Sequence, residues 1–201
     1  MQPDRVELAA VPVPMGWDVP PAAFEVLADD AIAVTAPARS DLFRSPEGDR
    51  AVATSPRATF PVTAPCMLSA HVQVDFADAF DAGALVVHQH ERSWAKLCLE
   101  RAPDRPTVVS VVTCGRSDDA NAWTVDADAV WLRVALRTRE IAFHASDDGV
   151  HWDLVRHFAL DHGTPTRIGF ACQAPVGDGC EVRFRDVRFR EGLLEDVRSG
   201  A

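Results

Sequence analysis

Apolar and polar residues alternate with a period of two through most of the chain, which is the pattern of half-buried β-strands and not of helices. The clearest run is Ala129 to Arg137, with Val130, Leu132, Val134 and Leu136 on one face and Trp131, Arg133, Ala135 and Arg137 on the other. After Thr138-Arg139 the pattern resumes from Glu140 to Ser146, where Ile141, Phe143 and Ala145 face a core and Ala142 and His144 face away. Trp94 to Glu100 splits into inward Ala95, Leu97 and Leu99 and outward Trp94, Lys96, Cys98 and Glu100, and Val108 to Thr113 reads as its neighbour. Thr166 to Gln173 turns Ile168, Phe170 and Cys172 inward and Arg167, Gly169, Ala171 and Gln173 outward.

The remaining segments fit the same grammar. Met67 to Phe76, with Leu68, Ala70, Val72 and Val74 on one side and His71, Gln73 and Asp75 opposite, and Ala84 to His90 are strands on either side of a turn at Asp78 to Gly83. Phe24 to Val34 is a hairpin around Asp29-Asp30, and Ala36 to Phe43 is an irregular loop placed to border a ligand groove. Gly115 to Asp128 reads as a polar loop. Asp147-Asp148-Gly149 predicts a tight type I′ hairpin leading into Trp152 to Phe158. In Cys180 to Arg190 the apolar parity changes between Phe184 and Val187, as a β-bulge would require. About a dozen short strands with turns at short intervals indicate an all-β sandwich.

At 201 residues the chain suits one domain: an N-terminal tail or edge segment over 1–16, a sandwich over 17–191 and a C-terminal tail over 192–201. The net charge of -10 argues against nucleic acid or an anionic membrane as partner, since both demand a basic field. No stretch is apolar for long enough to cross a bilayer, and the N-terminus lacks the basic start and apolar run of a secretory signal, so a cytoplasmic location is expected. Five cysteines, with no CxxC pair, read as reduced and mostly buried thiols.

Lys96 is the only lysine among 20 basic residues. The outward faces of four strands collect Lys96, Glu100, Arg133, His144 and Gln173, interspersed with Ala135, Ala142, Gly169 and Ala171, whose small side chains leave room for a ligand. The plain alternative is a Lys96–Glu100 ion pair across a solvated sheet. Trp94, Trp123 or Trp131 would offer a platform to a pyranose face, while Trp152 suits the core. Hydrolysis would need two carboxylates, and this face offers Glu100 alone. His88 and His90 would hold a metal only if a third ligand such as His144 approached, and Asp75, Asp78 and Asp81 lack the spacing of a calcium loop, so no metal or cofactor is expected. Cys98 shares the Lys96 face and is read as a small buried thiol.

Several of these pieces together, in order, resemble a known family. Gly83 with Leu85-Val86, Trp94 to Glu100, Ser110 to Thr113, Ser117-Asp118, Leu132-Arg133, Ser146 to Trp152 with Arg156, and Gly169 to Pro175 are similar to the signature series of the DUF1349 family, described as regulation-of-enolase-like proteins with a concanavalin A-like lectin/glucanase fold. The resemblance implies a jelly-roll sandwich of two antiparallel sheets, with sugars held on the concave face in related lectins and glucanases. The ligand residues expected on that face are Trp94, Lys96, Glu100, Thr113, Trp123, Arg133, His144 and Gln173. The expected ligand is a small carbohydrate or sugar phosphate, bound without catalysis; the alternatives are a regulatory contact with a metabolic enzyme, or a glycoside-active enzyme using Glu100. One departure stands out: the family pattern has tryptophan after the Ser-Asp pair, and here Asp119 follows.

Overall fold

A computed structural model of the protein describes residues 5–161 and 163–201. Among these, the strands in chain order are β1 (Arg5–Val6), β2 (Met15–Val19), β3 (Ala23–Ala28), β4 (Ala31–Pro37), β5 (Leu42–Arg44), β6 (Ala51–Ala53), β7 (Arg57–Val62), β8 (Cys66–Val74) and β9 (Ala82–His90). They continue with β10 (Ser93–Arg101), β11 (Pro106–Cys114), β12 (Ser117–Thr124), β13 (Ala129–Leu136), β14 (Ile141–Ser146), β15 (Asp153–Phe158), β16 (Thr166–Gln173) and β17 (Gly179–Glu191). One sheet has eight strands in the order β1-β2-β7-β16-β9-β10-β11-β12, and the other has seven in the order β15-β14-β13-β8-β17-β4-β3. All the pairings are antiparallel, and β5 and β6 form a separate hairpin. This is the concanavalin A-like jelly-roll sandwich. Among the described residues no helix is long and apolar enough to cross a membrane.

The core between the sheets is built from the inward residues that the alternation marks. Leu68, Ala70, Val72 and Val74 of β8, Leu132 and Val134 of β13 and Phe143 of β14 meet Ala95, Leu97 and Leu99 of β10 and Ile168 and Phe170 of β16 in one buried cluster. Phe170 and Phe184 stack across the two sheets with ring centroids 4.7 Å apart. Burying such side chains stabilises the fold by roughly 1.5–3 kcal/mol each, so the inward face of every strand is held in phase. The expected bulge in β17 is present: pairing with β8 slips between Arg185 and Arg188, and Asp186 takes φ 49.

Three local expectations give way. Residues 117–124 form the edge strand β12 instead of a loop, its side chains mostly exposed, because an edge that buries neither face shows no alternation. The β14–β15 connection is not a two-residue type I′ turn but a longer loop: Asp148 Oδ1 accepts the Val150 and His151 N–H groups at 2.8 Å each, and Ser146 Oγ accepts that of Gly149 at 2.9 Å. Only Gly149 there has a positive φ, of 72. Side-chain acceptors thus replace the backbone turn. Trp152 is half-buried outside the core cluster, with the Arg133 guanidinium 4.2 Å from its ring centroid.

Candidate functional site

The eight-stranded sheet turns one side of each strand away from the core. Register sets Lys96 of β10 beside Val86 of β9 and Val111 of β11, and Val111 beside Asp119 of β12. Glu100 lies beside Ala82, and Ala82 beside Gln173 of β16. Strand β9 therefore separates β10 from β16 and turns Ala82, Ala84 and Val86 to this face, and the longer polar side chains reach over it. Lys96 Nζ donates to Gln173 Oε1 at 2.7 Å, and Gln173 Nε2 donates to Glu100 Oε2 at 3.4 Å and to the Phe80 carbonyl at 3.2 Å. The amide orientation follows from these partners: its oxygen meets the cation, and its NH2 meets the two acceptors. No direct Lys96–Glu100 ion pair forms, so the glutamine bridges them.

A groove of about 410 Å³ opens over this trio. The hairpin β5–β6 supplies one wall with Asp41, Phe43 and Arg50, the 75–81 loop supplies Phe80, and β12 supplies Asp119 and Asn121. The hairpin is pinned at both ends to the end of β16: Ala174 N–H donates to Ser40 Oγ at 3.1 Å and Ser55 Oγ to the Cys172 carbonyl at 2.7 Å. Its tip is held from the other side, where Arg44 N–H donates to Ser117 Oγ at 3.0 Å. Phe80 sits at φ 68, a conformation costly for a residue with a side chain, which presents its carbonyl to Gln173 while leaving its ring exposed.

The electrostatics are dominated by burial. Lys96 is 3% exposed with one hydrogen-bond partner among the described residues for its three N–H groups. Burial pushes the Glu100 carboxyl up to about 7; Lys96 pulls it down only in part, and Asp119 and Asp41 push it further up. Asp119 is also raised, by burial first and then by Asp41 and Asp118 against the opposing pull of Lys96. Burial likewise pushes the Cys98 thiol up to about 12 despite Lys96, which makes it an inert core sulfur.

Of the eight expected ligand residues, the structure gathers Lys96, Glu100 and Gln173 in the groove. Arg133 and His144 do not join them: β13 and β14 belong to the seven-stranded sheet, and both side chains lie on its outer face beneath residues 194–200. Thr113 is fully buried and bonds Ser117 Oγ at 2.9 Å, holding the hydroxyl that anchors the hairpin. Trp94 is 1% exposed and packs with Leu42 under the hairpin, outside the groove lining. Trp123 packs against the core, because a slip in the β11–β12 pairing between Thr107 and Val109 alters the register before it. Trp131 flanks His71 on the far sheet, at 5.1 Å between centroids. The aromatic rings in the groove are instead Phe43 and Phe80.

The small residues have other uses than the one expected. A Cβ on Gly169 would sit 2.0 Å from the Ala58 carbonyl oxygen, so the glycine admits the neighbouring strand. Ala171 packs beneath Leu42, and Ala135 and Ala142 pack beneath Leu194. His88 and His90 are likewise not joined by His144; His90 Nε2 lies 3.3 Å from Asp161. Asp41 and Phe43 line the groove from the segment expected to border one. Arg50, Phe80 and Asn121 carry no signal in the sequence as site residues, and Asp119 carries one, as the carboxylate standing where the resembled pattern has tryptophan. Asp118 beside it bonds Arg156 at 2.7 Å, joining two signature residues on different sheets.

A two-sheet antiparallel jelly roll with a polar groove on one outer face is the class of protein that this geometry defines. Within it, the chain belongs to the DUF1349 family, a family of unknown function, whose model matches residues 17–192. Regulation of enolase protein 1 of Saccharomyces cerevisiae is 26% identical over 116 residues, 57% of this chain and 59% of that protein, so the match spans less than two thirds of its length. A functionally unknown protein from Saccharomyces cerevisiae superposes with a TM-score of 0.83 at 19% identity, over 90% of this chain and 97% of that one. A GH43 protein from Bacillus licheniformis gives 0.65 at 13% identity, over 85% of this chain and 35% of that one. The carbohydrate-binding module CBM66 from Bacillus subtilis gives 0.53 at 13%, over 87% and 95%. At these identities the solved structures establish the shared fold.

Proposed function

We propose that the chain is a non-catalytic, lectin-like carbohydrate-binding domain that holds a neutral sugar in the groove over Lys96, Gln173 and Glu100. The observation that carries this reading is the buried Lys96 ammonium with a single partner, since its remaining N–H groups need acceptors that sugar hydroxyls supply. Asp119 and Asn121 add polar partners, and Phe43 and Phe80 add apolar surface for a ring face. Asp41, Glu100 and Asp119 outnumber Lys96 and Arg50 in this lining, which favours a neutral sugar over a sugar phosphate. A shared fold with a carbohydrate-binding module is consistent with the reading. Five unpaired cysteines support a reducing, cytoplasmic setting.

Calorimetry against neutral mono- and oligosaccharides and their phosphates tests it. The expected result is binding of a neutral sugar, weakened about tenfold or more by Gln173→Leu; silence across that panel and a glycan array overturns it. A second reading, a glycoside-active enzyme, is favoured by the pairing of Glu100, pushed up to about 7, with the raised Asp119, as an acid and a second carboxylate. It requires turnover of an aryl glycoside that Glu100→Gln abolishes. A regulatory contact with a metabolic enzyme, suggested by the name of the yeast relative, would appear as one stoichiometric partner in a pull-down.

A further inference from the structure

The outer face of the seven-stranded sheet carries a different chemistry. Register sets Arg188 of β17, Ser69 of β8, Arg133 of β13 and His144 of β14 side by side, with Arg190 two residues beyond Arg188. The segment after β17 crosses over them. Leu194 is buried against Ala135 and Ala142, the Val197 carbonyl accepts from His144 Nε2 at 2.7 Å, and the Gly200 carbonyl accepts from Arg133 Nη2 at 2.7 Å. Between this segment and the sheet lies a cavity of about 590 Å³ whose lining includes Arg133, Arg188, Arg190, Ser69, Trp152 and Glu195.

Among the described residues none of these three arginines forms an ion pair. Arg133 is only 8% exposed, and its buried Nε–H has no hydrogen-bond partner among the described residues. An unpaired buried guanidinium donor is expensive, and like charges gathered around it add to the cost. Three guanidiniums against a single side-chain carboxylate, that of Glu195, leave a surplus of positive charge, which a multiply charged anion neutralises. At neutral pH a phosphate monoester carries about -1.5 to -2, and guanidinium groups bind its oxygens two at a time. The cavity volume falls in the small-molecule range of about 300–1,000 Å³. Trp152 on its wall and the exposed Val150 and Leu193 offer apolar surface to an organic remainder.

We propose that this cavity is a second binding site, separate from the groove, which takes a small organic phosphate monoester between Arg133, Arg188 and Arg190. It does not rest on the sugar reading, because the two sites lie on different sheets. Phenyl phosphate, phenyl sulfate and inorganic phosphate, titrated calorimetrically into the full chain at constant ionic strength, are the probes. Phenyl phosphate is expected to bind about tenfold or more tightly than either the monoanionic sulfate or inorganic phosphate. The double variant Arg188→Ala/Arg190→Ala removes exposed side chains and is expected to keep the wild-type circular dichroism while losing at least about tenfold in affinity; Arg105→Ala, on an exposed loop, is expected to bind as wild type. No heat with phenyl phosphate up to about 10 mM, undiminished affinity in the double variant, or equal affinity for the sulfate overturns the proposal.

Discussion

Lys96 and Arg133 are both mid-strand cations buried on an outer face, at 3% and 8% exposure, yet their surroundings are opposite in sign. Lys96 sits among Glu100, Asp119 and Asp41 under an open groove; Arg133 sits with Arg188 and Arg190 under a segment that covers it. The groove thus gathers carboxylates, and the covered cavity gathers guanidiniums that form no ion pair among the described residues. Two outward charges with the same alternation pattern therefore serve different chemistry, decided by the sheet on which each strand lies.

The contrast between the faces can be broken most severely at the strand packing beneath the groove. Gly169→Ala drives a Cβ into the Ala58 carbonyl, which is backbone and cannot swing aside, so urea unfolding should show a loss of at least about 3 kcal/mol. A cost below 1 kcal/mol would mean that the strands part easily.

Next in size is a pair of opposed pH effects. The folded Glu100 carboxyl titrates near 7, above its ordinary value of 4.5, so the folded state holds more protons and this face loses stability as pH rises from about 4.5 to 7. His144 is the reverse: burial lowers it from 6.5 to about 4, the unfolded chain binds the extra proton, and this face loses stability as pH falls from about 6.5 to 4. Each limb is worth roughly 3 kcal/mol, and in the native protein they oppose one another. Glu100→Gln should leave the acid loss exposed and His144→Gln the alkaline loss, read from unfolding midpoints between pH 4 and 8. Curves for both variants that run parallel to wild type would sink this assignment.

Gln173→Leu removes the bridge and leaves Lys96 without its hydrogen-bond partner, for an expected cost of about 2 kcal/mol by denaturant unfolding, besides its effect on sugar titrations. Asp118→Asn weakens the Arg156 contact between the edges of the two sheets. Asp118 is largely exposed, so less than about 1 kcal/mol should be lost and a midpoint shift near the limit of detection is expected.

Much of the sandwich was legible before any coordinates. The inward sets of β8, β10, β13, β14 and β16 are the sets that pack together between the two sheets, and the parity change near Val187 is the β17 bulge. What alternation missed lies where a strand buries neither face or is too short to show a period: β12 at the sheet edge, and the hairpin β5–β6, whose strands have three residues each. Asp41 and Phe43 line the groove from the segment expected to border one, but its pairing with β6, which brings Arg50 beside them, left no periodic signal. Trp123 was misplaced for a related reason, because a slip in pairing leaves no mark in the strand that carries it.

By itself the amino-acid order determined which side of each regular strand faces the core between the sheets, because that choice rests on the period of two and on the free energy of removing apolar side chains from water. It did not determine which sheet a strand joins. Lys96, Glu100 and Gln173 meet because β10 and β16 flank β9, while Arg133 and His144 lie on the other layer with β13 and β14. That partition is made by long-range pairing between segments up to about 150 residues apart, such as Ile32 with Phe184, and outward residues look alike on either layer until the sheets have closed on their shared core.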